Sequence, residues 1–313
     1  MNWFFISELE MKLSVNIGGL HLKNPVLPAS GTFGYGVEYE EMVPLGNLSA
    51  IITKGLTLKP KEGNSPPRIV ETACGVLNSV GLENIGIERF IKEKLPKIRK
   101  HNIPVIVNIG GETQVEYEEL AGILDKEDVE ALEVNISCPN VEKGGAVFGK
   151  DPKIAGSIIE KVRKRFSRTV LAKLPPADDI SKIALACQKE GADAICLINT
   201  IKALAIDIET QKPILGGIFG GLSGPAIKPV ALRMVWEVSS ILDIPVIGIG
   251  GIFSGSDAIE FILAGAVAVQ VGTANLVDPF SCIKISEGIK EYMTKKGIEN
   301  IAQLVGKAKS SEK

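Results

Sequence analysis

The chain has 313 residues, 45% of them hydrophobic, and a formal net charge of -2. That size suits one large domain or two ordinary ones, and without a basic run interleaved with aromatics no nucleic-acid partner is indicated. The five cysteines (Cys74, Cys138, Cys187, Cys196, Cys282) form no CxxC pair and His21 and His101 are the only histidines, which argues against a disulfide framework, a zinc site or a histidine triad and for a reducing cytoplasm.

Residues 1–10 read as an N-terminal extension ahead of a domain over 11–313. Trp3-Phe4-Phe5-Ile6 is far too short to span a bilayer and lacks the flanks of a signal peptide. Elsewhere no apolar run reaches a membrane span, so no membrane partner is expected. From there the pattern is strand, loop, helix, repeated. Eight short apolar runs read as strands: 25–29, 50–53, 104–108, 131–136, 169–173, 194–198, 245–249 and 267–271. Most are rich in Val and Ile without alternation, as parallel strands covered on both faces are. Helical patterns lie between them, at 87–100, 115–124, 152–166, 180–190, 226–242 and 256–264. Gly191 and Gly265 follow two of these, where a C-cap glycine belongs. The alternation predicts an α/β protein, a single (β/α)8 barrel, over a doubly wound sheet. Two connections, 55–86 and 200–225, are longer than a barrel needs and read as lids or small hairpins.

In a barrel all the strand ends converge on one mouth. Here they supply Ser30-Gly31, Lys54-Gly55, Asn108, Asn135 with Cys138 just beyond it, Lys173, Asn199-Thr200, Gly250-Gly251 and Gly272-Thr273. The last two pairs follow strands seven and eight, where barrels bind phosphate through backbone N–H groups. Asparagines both donate and accept hydrogen bonds and suit the rim of a heterocycle. Lys54 and Lys173 end apolar strands, where a lone lysine is costly unless it meets an anion. A structural salt bridge would serve as well, but no acidic residue adjoins either in sequence, and none stands among the strand ends. The ring describes a phosphate-bearing planar heterocycle, an anionic substrate and one weak acid or base, Cys138. Packed as a small hydrophobe, Cys138 would carry no chemistry.

Several segments, taken together and in order, resemble the dihydroorotate dehydrogenase family, in particular its soluble class 1B. They are Asn24-Pro25-Val26-Leu27-Pro28-Ala29-Ser30-Gly31, Thr53-Lys54-Gly55, Asn78-Ser79-Val80-Gly81-Leu82, Asn135-Ile136-Ser137-Cys138-Pro139-Asn140, Lys143-Gly144-Gly145, Gly221 to Pro229, and Ile249-Gly250-Gly251-Ile252. The resemblance implies one FMN per chain, held by Ser30, Lys54, Gly55, Asn108, Asn135, Lys173, Ile198, Gly224, Gly250, Gly251, Gly272 and Thr273. It implies dihydroorotate bound by Lys54, Asn78, Ser79, Val80, Gly81, Leu82, Asn135, Asn199 and Thr200, with Asn140 a weaker match and Cys138 as the catalytic base. It also implies a partner subunit carrying FAD and a [2Fe–2S] cluster, a homodimeric core within a heterotetramer, NAD as acceptor and a place in pyrimidine biosynthesis. No metal is implied on this chain. Where the family usually reads Leu-Ser-Pro-Asn and Val-Ala-Gly, this chain has Leu174-Pro175-Pro176-Ala177 and Ile109-Gly110-Gly111, beside the flavin positions rather than on them. The alternatives are a fumarate-linked member of the family, a Schiff-base aldolase using Lys54 or Lys173, and a barrel that only binds a phosphorylated ligand.

Overall fold

The computed structural model describes residues 11–136 and 149–311. The apolar runs form one sheet in which all pairings are parallel, with strand order β3-β16-β15-β10-β9-β8-β7-β4. The strands are β3 Val26–Pro28, β4 Ile51–Ile52, β7 Val105–Ile109, β8 Ala131–Asn135, β9 Thr169–Leu174, β10 Ala194–Leu197, β15 Val246–Ile249 and β16 Ala266–Val271. Every residue of β7, β8, β9, β10 and β15 is buried, which is why these runs lack alternation. The outer strands of that order, β3 and β4, lie side by side, so the sheet curls into a nearly closed α/β barrel as expected.

The helices begin and end on local signals. In Pro152–Arg165, Asp151 caps the N-terminus by accepting from the N–H groups of Lys153 and Ile154 at 2.8 and 3.3 Å, and Pro152 takes the first position. Its buried face, Ala155, Ile158, Ile159 and Val162, follows the helical repeat. Gly191 (φ +98°) and Gly265 (φ +110°) follow Ile180–Lys189 and Gly255–Leu263 as expected. Two expected helices are interrupted. Within 87–100 the stretch Phe90–Lys94 is π-helical ahead of Leu95–Arg99, because Pro96 has no N–H to continue the ladder. The expected 226–242 helix opens as a 3-10 turn over Pro225–Ile227 before Lys228–Ser239. Thr273–Val277 and Ser281–Lys296 were not expected; the second ends on Gly297 in a left-handed conformation. Among the described residues no helix is long and apolar enough to cross a membrane.

The two long connections meet over the mouth. The first supplies the hairpin β5 Ile69–Thr72 with β6 Gly75–Asn78, and the second supplies β11 Ile201–Leu204 and β14 Phe219–Ser223. They join in one antiparallel sheet of order β11-β14-β6-β5, with Asn78 opposite Gly221. A short pair, β12 Ile206–Asp207 with β13 Lys212–Pro213, extends the second connection. At the other end, the hairpin β1 Val15–Ile17 with β2 Leu20–Leu22 reaches the barrel through Thr169, whose hydroxyl donates to Gly18 O at 2.7 Å.

Candidate active site

The C-terminal ends of the barrel strands and the overlying sheet enclose a cavity of about 450 Å³. Parallel strands all point their C-termini to one face, so residues scattered from 30 to 273 arrive together. Ser30, Lys54, Gly55, Asn135, Lys173, Ile198, Gly224, Gly250, Gly251, Gly272 and Thr273 line it, as do Asn78, Val80, Gly81, Leu82, Asn199 and Thr200. Two anticipated residues do not line it. Asn108 is fully buried behind Gly55, where a Cβ on Gly55 would lie 3.0 Å from Asn108 Oδ1. Ser79 is turned away and its hydroxyl accepts from Asn64 Nδ2 at 2.9 Å. Asn108 faces inward but one layer deeper, on Glu133, and Ser79, next to the lining Asn78, faces the opposite way.

The absence of acidic partners, inferred from the sequence, does not hold in three dimensions. Glu133, two residues before Asn135 and on the same side of β8, is fully buried. Its Oε1 lies 3.2 Å from Lys173 Nζ and accepts from Asn108 Nδ2 at 2.6 Å, while its Oε2 accepts from Gln270 Nε2. β9 pairs with β8 so that Lys173 stands opposite Asn135, which brings its ammonium within reach of Glu133. Lys54 is also paired, with Glu83 at 3.3 Å, and Glu83 in turn meets Arg68 at 3.1 Å. Sequence reasoning missed both carboxylates. The signal for Glu133 was present, a charge inside the apolar run 131–136; Glu83 carried none.

The wall opposite the lysines is backbone. Gly250 and Gly251 have φ of +132° and +71°, and a Cβ on Gly251 would lie 2.7 Å from Lys228 Cβ. Among the described residues, the N–H groups of Gly250, Gly251, Gly272 and Thr273 donate to no protein acceptor. Amides left open at the ends of strands seven and eight, where side chains are excluded, fit a phosphate. The overlying sheet is locked to this wall by the Thr273 hydroxyl, which donates to Ser223 Oγ at 2.8 Å. Within that sheet Gly221 is required, because a Cβ there would meet Thr200 Oγ1 at 1.9 Å. Asn78 is held over the mouth by donating through Nδ2 to Gly221 O at 3.2 Å.

Cys138 and Asn140, with the rest of 137–148, lie outside the described residues, as does the extension 1–10. The cysteines that are described offer no nucleophile to the cavity. Burial pushes the thiols of Cys187 and Cys282 up to about 12, and burial followed by the charge of Glu133 pushes Cys196 well above the usual thiol range. Cys74 is exposed. Among the described residues no group of three metal-binding side chains comes together.

Comparison with known proteins agrees with this arrangement. A family model described as dihydroorotate dehydrogenase matches residues 12–293. The chain is 55% identical over 299 residues to the dihydroorotate dehydrogenase B (NAD(+)) catalytic subunit of Geotalea daltonii, covering 95% of this chain and 98% of that one. Its identity to the protein of the same name from Trichlorobacter lovleyi is 54% over 296 residues, 94% and 97% of the two chains. For the one from a Thermoanaerobacter species it is 52% over 300 residues, 96% and 99%.

Proposed function

The chain belongs to the dihydroorotate dehydrogenase family, and on that premise we propose that it oxidises dihydroorotate to orotate in pyrimidine biosynthesis as the catalytic subunit of an NAD-linked enzyme. The observation that carries the reading is the cavity itself. One wall is open backbone amides at Gly250, Gly251, Gly272 and Thr273; the other holds Lys54, Asn78, Asn135, Lys173 and Asn199. That combination fits FMN together with a small anionic ring.

When bound, FMN supplies a two-electron acceptor for the hydride that leaves C6 of the substrate. The chain's own residues do the rest. The open amides and glycine turns hold a phosphate, and Lys173 presents a cation to the flavin, where negative charge grows on reduction. Lys54 meets the carboxylate of dihydroorotate in place of Glu83, and Asn78, Asn135 and Asn199 fix the ring through donors and acceptors. Cys138 takes the proton from C5. A free thiol has a pKa of about 8.5, so the site must favour the thiolate for this step to run at neutral pH. The Schiff-base alternative gains nothing from the geometry, because Lys54 and Lys173 are both ion-paired rather than isolated amines.

Electrons leave through a partner subunit carrying FAD and a [2Fe–2S] cluster to NAD, with two copies of this chain at the core of a heterotetramer in the cytoplasm. The names of the relatives support the NAD link. The test is an acceptor panel, run on the chain alone and with its partner. Dihydroorotate-dependent NADH formation only with the partner is expected. Fast fumarate reduction by the chain alone, with no NADH on adding the partner, would reassign it to the fumarate-linked enzymes.

A further inference from the structure

Beneath the cavity floor lies a cluster of buried polar side chains, Glu133, Asn108 and Gln270, that does not line the cavity. Glu133 is fully buried and does not line the cavity, whereas Lys173, its ion-pair partner, does. Burying a carboxylate in a barrel interior is costly unless its charge is met. Here Lys173, Asn108 and Gln270 all aim polar hydrogens at it. Its neighbours Leu132 and Val134 are aliphatic, and packing alone would be served by another such residue at 133. A fixed negative charge therefore stands directly behind the cation that faces the cavity.

We propose that Glu133 is a positioning residue that orients Lys173 toward the flavin and, by offsetting part of its charge, sets the reduction potential of bound FMN. The inference rests on reading the cavity as an FMN site. Reduction adds negative charge to the flavin, a cation nearby favours it, and an anion behind that cation weakens the effect. Removing the anion must shift the balance toward the reduced form. Gln270 makes a clean test possible. Its Oε1 is buried and without a partner among the described residues, so rotating the Gln270 amide gives the new N–H of Glu133→Gln an acceptor.

The measurement is the midpoint potential of bound FMN by dye-coupled titration at one fixed pH. It is run on the wild type, Glu133→Gln and Glu133→Asp. Glu133→Gln should bind reduced FMN over oxidised FMN about tenfold more strongly than wild type does, an upward shift of about 30 mV for a two-electron couple. Glu133→Asp keeps the charge and should stay within about threefold of wild type. An unchanged potential in flavin-loaded Glu133→Gln overturns the inference. So does an equal shift in both variants, which would report packing, and so does failure of both to fold or to keep FMN. If the wild type itself takes up no FMN, the cofactor reading fails with it, and that is seen before any substitution is made.

Discussion

A lysine at the end of an apolar strand needs a counter-ion, and Lys173 finds one 40 residues back in the chain. Glu133→Ala would strand that ammonium and should destabilise the fold by about 3–5 kcal/mol, read from urea midpoints at constant slope. A loss under about 1 kcal/mol would mean that water reaches Lys173. Cys138→Ser should slow flavin reduction by orders of magnitude while leaving FMN bound, because a serine hydroxyl is a far poorer base. A stopped-flow rate within about threefold of wild type, roughly 0.7 kcal/mol in barrier, would exclude Cys138 as the base. The buried thiols Cys187, Cys196 and Cys282 should resist iodoacetamide at pH 8 in the folded protein, and Cys74 should react; peptide mapping reads both outcomes. At this scale the residue types at the mouth were legible, because strand ends in a barrel share one face. Their partners were not, since Glu133 and Lys173 become neighbours only when β8 pairs with β9.

The elements around the glycine turn after β15 are tied by charge. Lys228 opens the helix Lys228–Ser239 and lies 2.7 Å from Asp257 Oδ1 and 2.9 Å from Glu260 Oε1, both on the helix Gly255–Leu263. Burial raises the Asp257 carboxyl, but Lys228, the Ser254 hydroxyl and the Phe253 N–H outweigh it and hold the group below its usual 3.8. A depressed carboxylate stabilises the fold at pH values above 3.8 and loses that contribution as the pH falls through its lower folded value. Asp257→Asn should therefore cost about 1–3 kcal/mol at pH 7, and the gap to wild type should narrow as the pH falls below that value. Thermal melts across that range would contradict this if the gap stayed constant. Helices and strands were legible from period and caps. The sheet over the mouth was legible only as two long connections, since Asn78 and Gly221 pair across 143 positions and no local pattern encodes that meeting.

At the scale of the whole molecule, alternation of apolar runs and helices was enough to imply a barrel, and the barrel brings the strand ends to one mouth. The hairpin β1–β2 lies outside the repeating unit and has no signal in it, whereas the helix Ser281–Lys296 is the unit's eighth helix, set apart from its strand by the short helix Thr273–Val277. Under the proposed function the site serves the oxidation of dihydroorotate on FMN, and the onward path of electrons falls to a partner. The most direct measurement is a single turnover without that partner: the purified, FMN-loaded chain mixed anaerobically with dihydroorotate, with the flavin spectrum and orotate followed together. Bleaching of the flavin with one orotate formed per FMN is the predicted result. A flavin that stays oxidised while dihydroorotate is recovered unchanged would contradict the assignment.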